Sequence, residues 1–139
     1  MEREARLEAI ACADPAGLVA LADDVLDSFE VEVTRGPAVG LLMVRVEEPS
    51  ERLPFNFTEV TVSEAEVAAG THRGYAMVMG KSLERALAGA VIDAALEAEH
   101  ALSPRIEAFL AAAQQASEQE WADRWSLIAP TRVRFEDVT

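Results

Sequence analysis

The spacing of apolar positions changes along this chain, and each change marks an element. Leu7, Ile10 and Ala11 recur at helical spacing. Asp14-Pro15 then supplies a capping carboxylate followed by a proline suited to the first helical position. Leu18, Leu21, Val25 and Leu26 continue one apolar face beyond it. This predicts two short helices, or one broken near Asp14, ending by Ser28. From Phe29 to Val33 apolar and polar residues alternate at period two, the pattern of a half-buried strand. Arg35-Gly36-Pro37 reads as a turn. The β-rich run Val39 to Val46 is expected to fold back on the first strand as a hairpin. A polar loop over Glu47 to Arg52 leads to a third strand, Phe55 to Val62, and Gly70 separates it from a fourth, Gly74 to Met79.

After Gly80 the period returns to that of a helix. Leu83, Leu87, Ala90, Val91, Ala94 and Ala98 form one stripe, and Ser82 stands where a cap is wanted. The alanines Ala86, Ala90 and Ala94 permit close approach to a sheet. Ser103-Pro104 opens a further helix with the same capping logic as Asp14-Pro15. It carries Ile106, Phe109, Leu110, Ala113, Trp121, Trp125 and Ile128, spans about two dozen residues, longer than the usual globular helix, and is stopped by Pro130. Arg132-Val133-Arg134-Phe135 alternates once more, as a short strand would. Strands in one run and helices in another favour an α+β fold. The expectation is a four-stranded, mainly antiparallel sheet flanked by an N-terminal helix and two C-terminal helices, the last one long, in a single domain over residues 1–139.

Composition adds constraints on partners. Half of the 139 residues are apolar and 27% are charged, as in a folded domain. No apolar run approaches the roughly 20 residues that cross a bilayer. The charged start Met1 to Arg6 leads into no signal-peptide block, which places the protein in the cytoplasm. The net charge of −13, from 25 acids and 12 bases, opposes nucleic acid and anionic membranes. It equally suits a soluble partner of a more basic subunit. The lone Cys12 forms no internal disulfide and is expected as a small buried helix residue.

Gly80-Lys81-Ser82 is the strongest local candidate for an anion site, because a helix start offers free N–H groups and the positive end of the helix dipole. Lys81 is the only lysine in the chain. The glycine spacing of a phosphate-binding loop is missing, so an ordinary capped helix start explains the same residues. His72 and His100 fall in a turn and at a helix end, where the dipole favours the charged form of His100. Neither completes a metal set or a catalytic triad by spacing. Asp93, among Val91, Ile92, Ala94 and Ala95, reads either as a buried anchor or interface contact, or as a solvent-facing acid beside Arg85 or Glu97. Arg45, Arg73, Arg132 and Arg134 lie in or beside strands. They can read a triphosphate, or simply pair with the surplus glutamates.

Pro54, Phe55, Asn56, Glu59, Thr61 and Val62, followed by Gly74, Tyr75, Val78, Gly80, Lys81, Ala86, Ala90, Asp93 and Ala94, resemble in order and spacing the PhnG family. The opening helix resembles it through Arg3, Ile10, Ala11, Pro15 and Leu18, and the tail through Arg132, Val133 and Phe135. Departures are Arg6 in place of an aromatic, Phe57 and Thr58 in place of leucine and glycine, and Ser82 in place of an aspartate.

The resemblance implies phosphonate breakdown. It implies a subunit of a synthase that joins an alkylphosphonate to C1 of the ATP ribose and expels adenine. With methylphosphonate the product is ribose 1-methylphosphonate 5-triphosphate. Implied partners are PhnI-, PhnH- and PhnL-like subunits, and a PhnJ-like subunit that performs radical carbon–phosphorus cleavage. The nucleosidase chemistry falls mainly to the PhnI-like partner. ATP is then a substrate of the assembled system, with no cofactor or metal held by this chain alone. Phe109, Trp121 and Trp125 are the interface candidates. Two readings compete: a stand-alone enzyme holding ATP at Gly80-Lys81-Ser82, and a homo-oligomeric interaction module, with a homodimer of the isolated chain substituting for a missing partner.

Overall fold

The computed structural model describes residues 1–133. Helix α1 runs over Arg3–Cys12 and α2 over Pro15–Leu26. The break between them is local chemistry: the Asp14 carboxylate accepts the Gly17 N–H at 2.8 Å, and Pro15 occupies the first turn. Three strands follow, β1 over Glu32–Glu47, β2 over Pro54–Ala69 and β3 over His72–Met79. They form an antiparallel sheet in the order β1-β2-β3. Helix α3 spans Leu83–Glu97 and α4 spans Ser103–Ile128, and a 3-10 turn at Ala129–Thr131 ends the described helical structure.

The sheet has three strands among the described residues, where the periodicity predicted four. The two expected N-terminal strands are one 16-residue strand. Arg35-Gly36-Pro37 is a pair of irregularities within it: register slips between Val33 and Arg35 and between Arg35 and Ala38 insert extra residues against β2. Gly36 has φ of +73°, and a Cβ there would lie 2.7 Å from the Glu64 carbonyl oxygen. The same residues that make a tight turn thus make a bulge when the partner strand runs past them. Phe29, expected at the start of the first strand, precedes β1 and stacks edge-on against His100 at 5.3 Å. The short strand expected at 132–135 falls mostly outside the described residues; Arg132 and Val133 are not in a strand.

One face of the sheet root meets α3. Ala65, Val67, Ala76 and Val78 are buried with Ala86, Ala90, Val91 and Ala94, and Ile10, Leu18, Val25, Ile106 and Leu110 close the core from α1, α2 and α4. The alanine stripe sets a close approach. A Cβ on Gly74 would overlap the Ala90 carbonyl oxygen and lie 2.5 Å from the Ala94 nitrogen, so only glycine lets strand and helix meet there. The strand-to-helix exit is held by Ser63, a fully buried side chain. Its hydroxyl donates to the Gly80 carbonyl at 2.7 Å and accepts the Ser82 N–H at 2.9 Å. Ser82 therefore marks the helix boundary, but its own side chain makes no capping hydrogen bond.

Pairing is uneven along β2. Strand β3 covers only Val62 to Ala69 of it, while β1 pairs with β2 along both full lengths. Residues 41–47 and 54–61 consequently form a two-stranded arm extending about 26 Å beyond the third strand, at about 3.3 Å per residue.

Candidate functional site

The resemblance-bearing residues fall into two unlike places. The first is a buried ionic lock. Asp93 projects from α3 and is fully buried. Its Oδ1 accepts Arg6 Nε at 2.7 Å; its Oδ2 accepts Arg3 Nη2 at 3.0 Å and the Tyr75 backbone N–H at 2.9 Å. Arg6, also buried, donates onward to Glu97. Arg3 and Arg6 lie one helical turn apart on α1, so one face of α1 clamps α3 to the edge of β3. A buried carboxylate becomes tolerable when its lone pairs are filled in this way. The solvent-facing reading of Asp93 is excluded, and Arg85 is not its neighbour: the Arg85 guanidinium caps the Ala11 carbonyl at the end of α1. The Asp93 carboxylate raises the Arg3 guanidinium above its ordinary value by accepting its hydrogen bond. The hydrogen bond from Arg6 lowers Glu97 below the ordinary carboxylate value.

Tyr75 lies on the opposite sheet face. Its hydroxyl donates to Glu64 Oε2 at 2.8 Å. Burial first, and then the Glu64 hydrogen bond, push the phenol up to about 12. It remains protonated at neutral pH and is a donor, not a base. Arg35 and Arg73 pair with Glu64 and Glu66 at 3.3 Å each. Arg3, Leu7, Glu66, Arg73, Gly74 and Tyr75 line a shallow cleft of about 500 Å³ beside the lock.

The second place is the arm. Asn56 and Glu59 are exposed on it, opposite Arg45 and Met43. Around them Leu41, Leu42, Met43, Phe55 and Phe57 are exposed, with Leu41 at 67% and Phe57 at 66%. Phe55 and Phe57 touch edge-to-face at 6.4 Å. The arm is thus apolar without a covering layer among the described residues. Helix α4 behaves likewise. Its first half buries Ile106 and Leu110 and rests Phe109 against the core near Gly17. Its second half leaves Trp121 and Trp125 exposed at 66% and 57%. Of the three aromatic interface candidates, Phe109 is largely spent internally and the tryptophans are not. Trp121, Cys12, Leu42, Val60, Val62 and Met79 border an apolar groove of about 660 Å³ between α1, α4 and the arm. Cys12 is exposed there, contrary to the buried place expected of it.

Lys81 is exposed at the start of α3, flanked by Gly80 with φ of +87°. The Ser82 amide is already taken by Ser63, which leaves fewer free N–H groups at that helix start. The strand arginines do not converge. Arg45 lies opposite Asn56 and Arg73 opposite Ala68, so about 40 Å of β2 separates their levels. Arg134 lies outside the described residues. His100 Nδ1 accepts the Leu102 N–H at 3.1 Å, and Nε2 lies 3.0 Å from Ser28 Oγ. Among the described residues no group of three or more His, Cys, Asp or Glu side chains gathers in a metal-holding arrangement, and no helix is long and apolar enough to cross a membrane.

Arg6 and Ser63 were absent from the sequence candidates. Arg6 registered only as a departure from an expected aromatic, and Ser63 as one polar residue on a strand. Their partners lie 87 and 17 positions away, beyond the reach of local pattern.

The family model described as "Phosphonate metabolism protein PhnG" matches residues 1–139. A curated protein of Rhizobium meliloti (strain 1021), alpha-D-ribose 1-methylphosphonate 5-triphosphate synthase subunit PhnG, is 35% identical over 123 residues, covering 86% of this chain and 77% of the relative. With the ordered residues from Pro54 to Ala94 now placed in the fold, the chain belongs to the PhnG family of phosphonate metabolism proteins.

Proposed function

We propose that this chain is a subunit of the synthase that transfers the ribose triphosphate of ATP to an alkylphosphonate with release of adenine, and that it completes the assembly without carrying the reaction itself. The relative's name as a synthase subunit supports the pathway. The uncovered apolar arm is the observation that carries the subunit role. Apolar side chains left in water on this scale mark a surface that another protein covers.

The chemistry points the same way. Expelling adenine requires a proton donor to the leaving base and stabilisation of a cationic ribosyl centre. Here Asp93 is saturated by Arg3, Arg6 and Tyr75 N–H, Glu97 is held by Arg6, and the Tyr75 phenol is too weak an acid at neutral pH. These residues build the scaffold. A PhnI-like subunit houses the nucleosidase centre in this reading, with PhnH-, PhnJ- and PhnL-like subunits in the larger system, and the acidic chain orients substrate or partner in the cytoplasm. Co-expression with a PhnI-like protein tests it. Stable co-purification is the expected result, with adenine release from ATP only in the assembled sample. Failure to associate at micromolar concentration, or adenine release by this chain alone, contradicts it.

A further inference from the structure

The apolar groove of about 660 Å³ has two walls that are uncovered among the described residues. One is the arm, through Leu42, Val44 and Val60; the other is α4, through Ser117 and Trp121. Trp125 and Ile128 follow Trp121 at i+4 and i+7, so they extend the same side of the helix outward. Leu42, Trp121, Trp125 and Ile128 are all exposed. Cys12, the only thiol in the chain, is exposed where it borders the groove. The charges around the groove are one-sided. Glu8 borders it, Asp14 borders the adjoining hollow beside Phe109, and Glu118 lies one turn before Trp121. None of these three acids has an ion-pair partner among the described residues. The bases nearby are engaged: Arg124 pairs with Glu120 at 3.0 Å, and the Arg85 guanidinium caps the Ala11 carbonyl.

We propose that one apolar segment of the partner subunit, flanked by lysine or arginine, inserts between these walls and touches the arm and α4 at once. The inference rests on the subunit reading and adds how the partner enters and what charge it bears. The shared groove makes the two uncovered surfaces the two sides of one site, since a segment seated on Val60 and Met79 also meets Trp121. The apolar walls select the inserted face. Covering Leu42, Val60 and Trp121 removes apolar area from water, whereas a charged group placed there is desolvated without a partner. The unpaired acids select the flanks. Cations at the mouth of the groove meet Glu8, Asp14 and Glu118, which speeds encounter and fixes register. Charge also argues against a second copy as occupant. Each copy has 25 acids against 12 bases and a net charge of −13, so two copies repel as they approach.

The experiment uses the full chain, free and co-expressed with a PhnI-like protein, and reads Cys12 as a reporter of the groove. The rate at which N-ethylmaleimide alkylates Cys12 is followed by mass spectrometry. It is expected to be at least tenfold slower in the complex than in the free chain. A chain whose Cys12 already carries N-phenylmaleimide is expected to keep its circular dichroism spectrum and to bind the partner at least tenfold more weakly. Glu8→Lys reverses an exposed charge at the groove. It is expected to weaken association about tenfold at low salt, with the loss shrinking as salt is added. A complex in which Cys12 reacts as fast as in the free chain, or in which the phenylmaleimide adduct binds with full affinity, overturns the insertion and leaves the subunit reading standing. Glu8→Lys binding as tightly as the wild type, or more tightly, overturns the basic flanks. No association at micromolar concentration removes the subunit reading, and this inference with it.

Discussion

Along β2, residues Val62 to Ala69 run between β1 and β3 with α3 against one face, while Pro54 to Thr61 have β1 alone beside them. The first half buries Ser63, Ala65, Val67 and Ala69 in alternation; in the second every residue from Pro54 to Glu59 is exposed, two phenylalanines among them. The two halves are parts of one strand, and the exposed half is the richer in β-branched and aromatic residues, so propensity does not explain which half is buried. What separates them is a covering layer. The resemblance-bearing residues divide along the same line. Gly74, Tyr75 and Asp93 are consumed in bringing α1, α3 and β3 together, while Asn56 and Glu59 are displayed. A motif set read as one functional signature is therefore two devices: one specifies the fold, and the other presents a surface.

The contrast breaks most directly at its buried side. Asp93→Ala leaves two arginines and a backbone N–H without their shared acceptor, and is expected to cost about 3–5 kcal/mol in urea unfolding. Gly74→Ala forces strand and helix apart and is expected to cost at least about 3 kcal/mol. If either variant unfolds at the wild-type midpoint, the lock does not hold the fold. On the exposed side the signs reverse. Phe57→Ser and Trp121→Ala are expected to change stability by no more than about 0.5 kcal/mol. Each is expected to weaken binding to a PhnI-like partner by about 2 kcal/mol, some thirtyfold, measured by calorimetry. A large loss of stability from Phe57→Ser would mean that the arm is internally packed after all.

Ser63→Ala probes the seam between the two halves. It removes the hydroxyl that joins the Gly80 carbonyl to the Ser82 amide, and about 1–2 kcal/mol of stability is expected to go with it. The smallest effect concerns pH. Arg6 holds Glu97 below the ordinary carboxylate value of 4.5. In the folded chain Glu97 stays ionised where the unfolded chain has already taken up a proton. Its contribution is complete above pH 4.5 and is lost as pH falls through the folded value. Because Glu97 is 36% exposed, that contribution is under about 1 kcal/mol. The stability difference between the wild type and Glu97→Gln is expected to shrink between pH 5 and pH 3. A difference that grows toward low pH would reverse the assigned sign.

The helices were legible in the sequence because their signals are local. Asp14-Pro15 fixes the start of α2 and the alanine stripe of α3 fixes a face. Ser103-Pro104 marks the start of α4 but does not share the expected capping logic: Leu102 holds the cap position, and the Ser103 hydroxyl makes no capping hydrogen bond. The strand count was misread because Gly36-Pro37 carries turn chemistry, and only the length of the partner strand decides between a turn and a bulge. The burial of Asp93 was half legible. Its apolar neighbours marked it as unusual, but Arg3 and Arg6 on α1 look like part of an ordinary solvated face until the two helices are brought together. The length of α4 and the spacing of its tryptophans were legible, whereas the point at which burial stops, after Leu110 and the half-buried positions just beyond it, depends on where the rest of the molecule ends.

Hydrogen exchange across the chain, measured alone and with a PhnI-like partner, tests the account most directly. Amides of α3 and β3 are expected to exchange slowly in both states. Those of residues 54–61, whose outer edge lies beyond β3, and of 114–128 in α4 are expected to exchange faster alone and to slow at least tenfold on binding. Binding that protects other surfaces and leaves both segments unchanged would contradict the claim that the uncovered arm and helix are where this subunit joins its assembly.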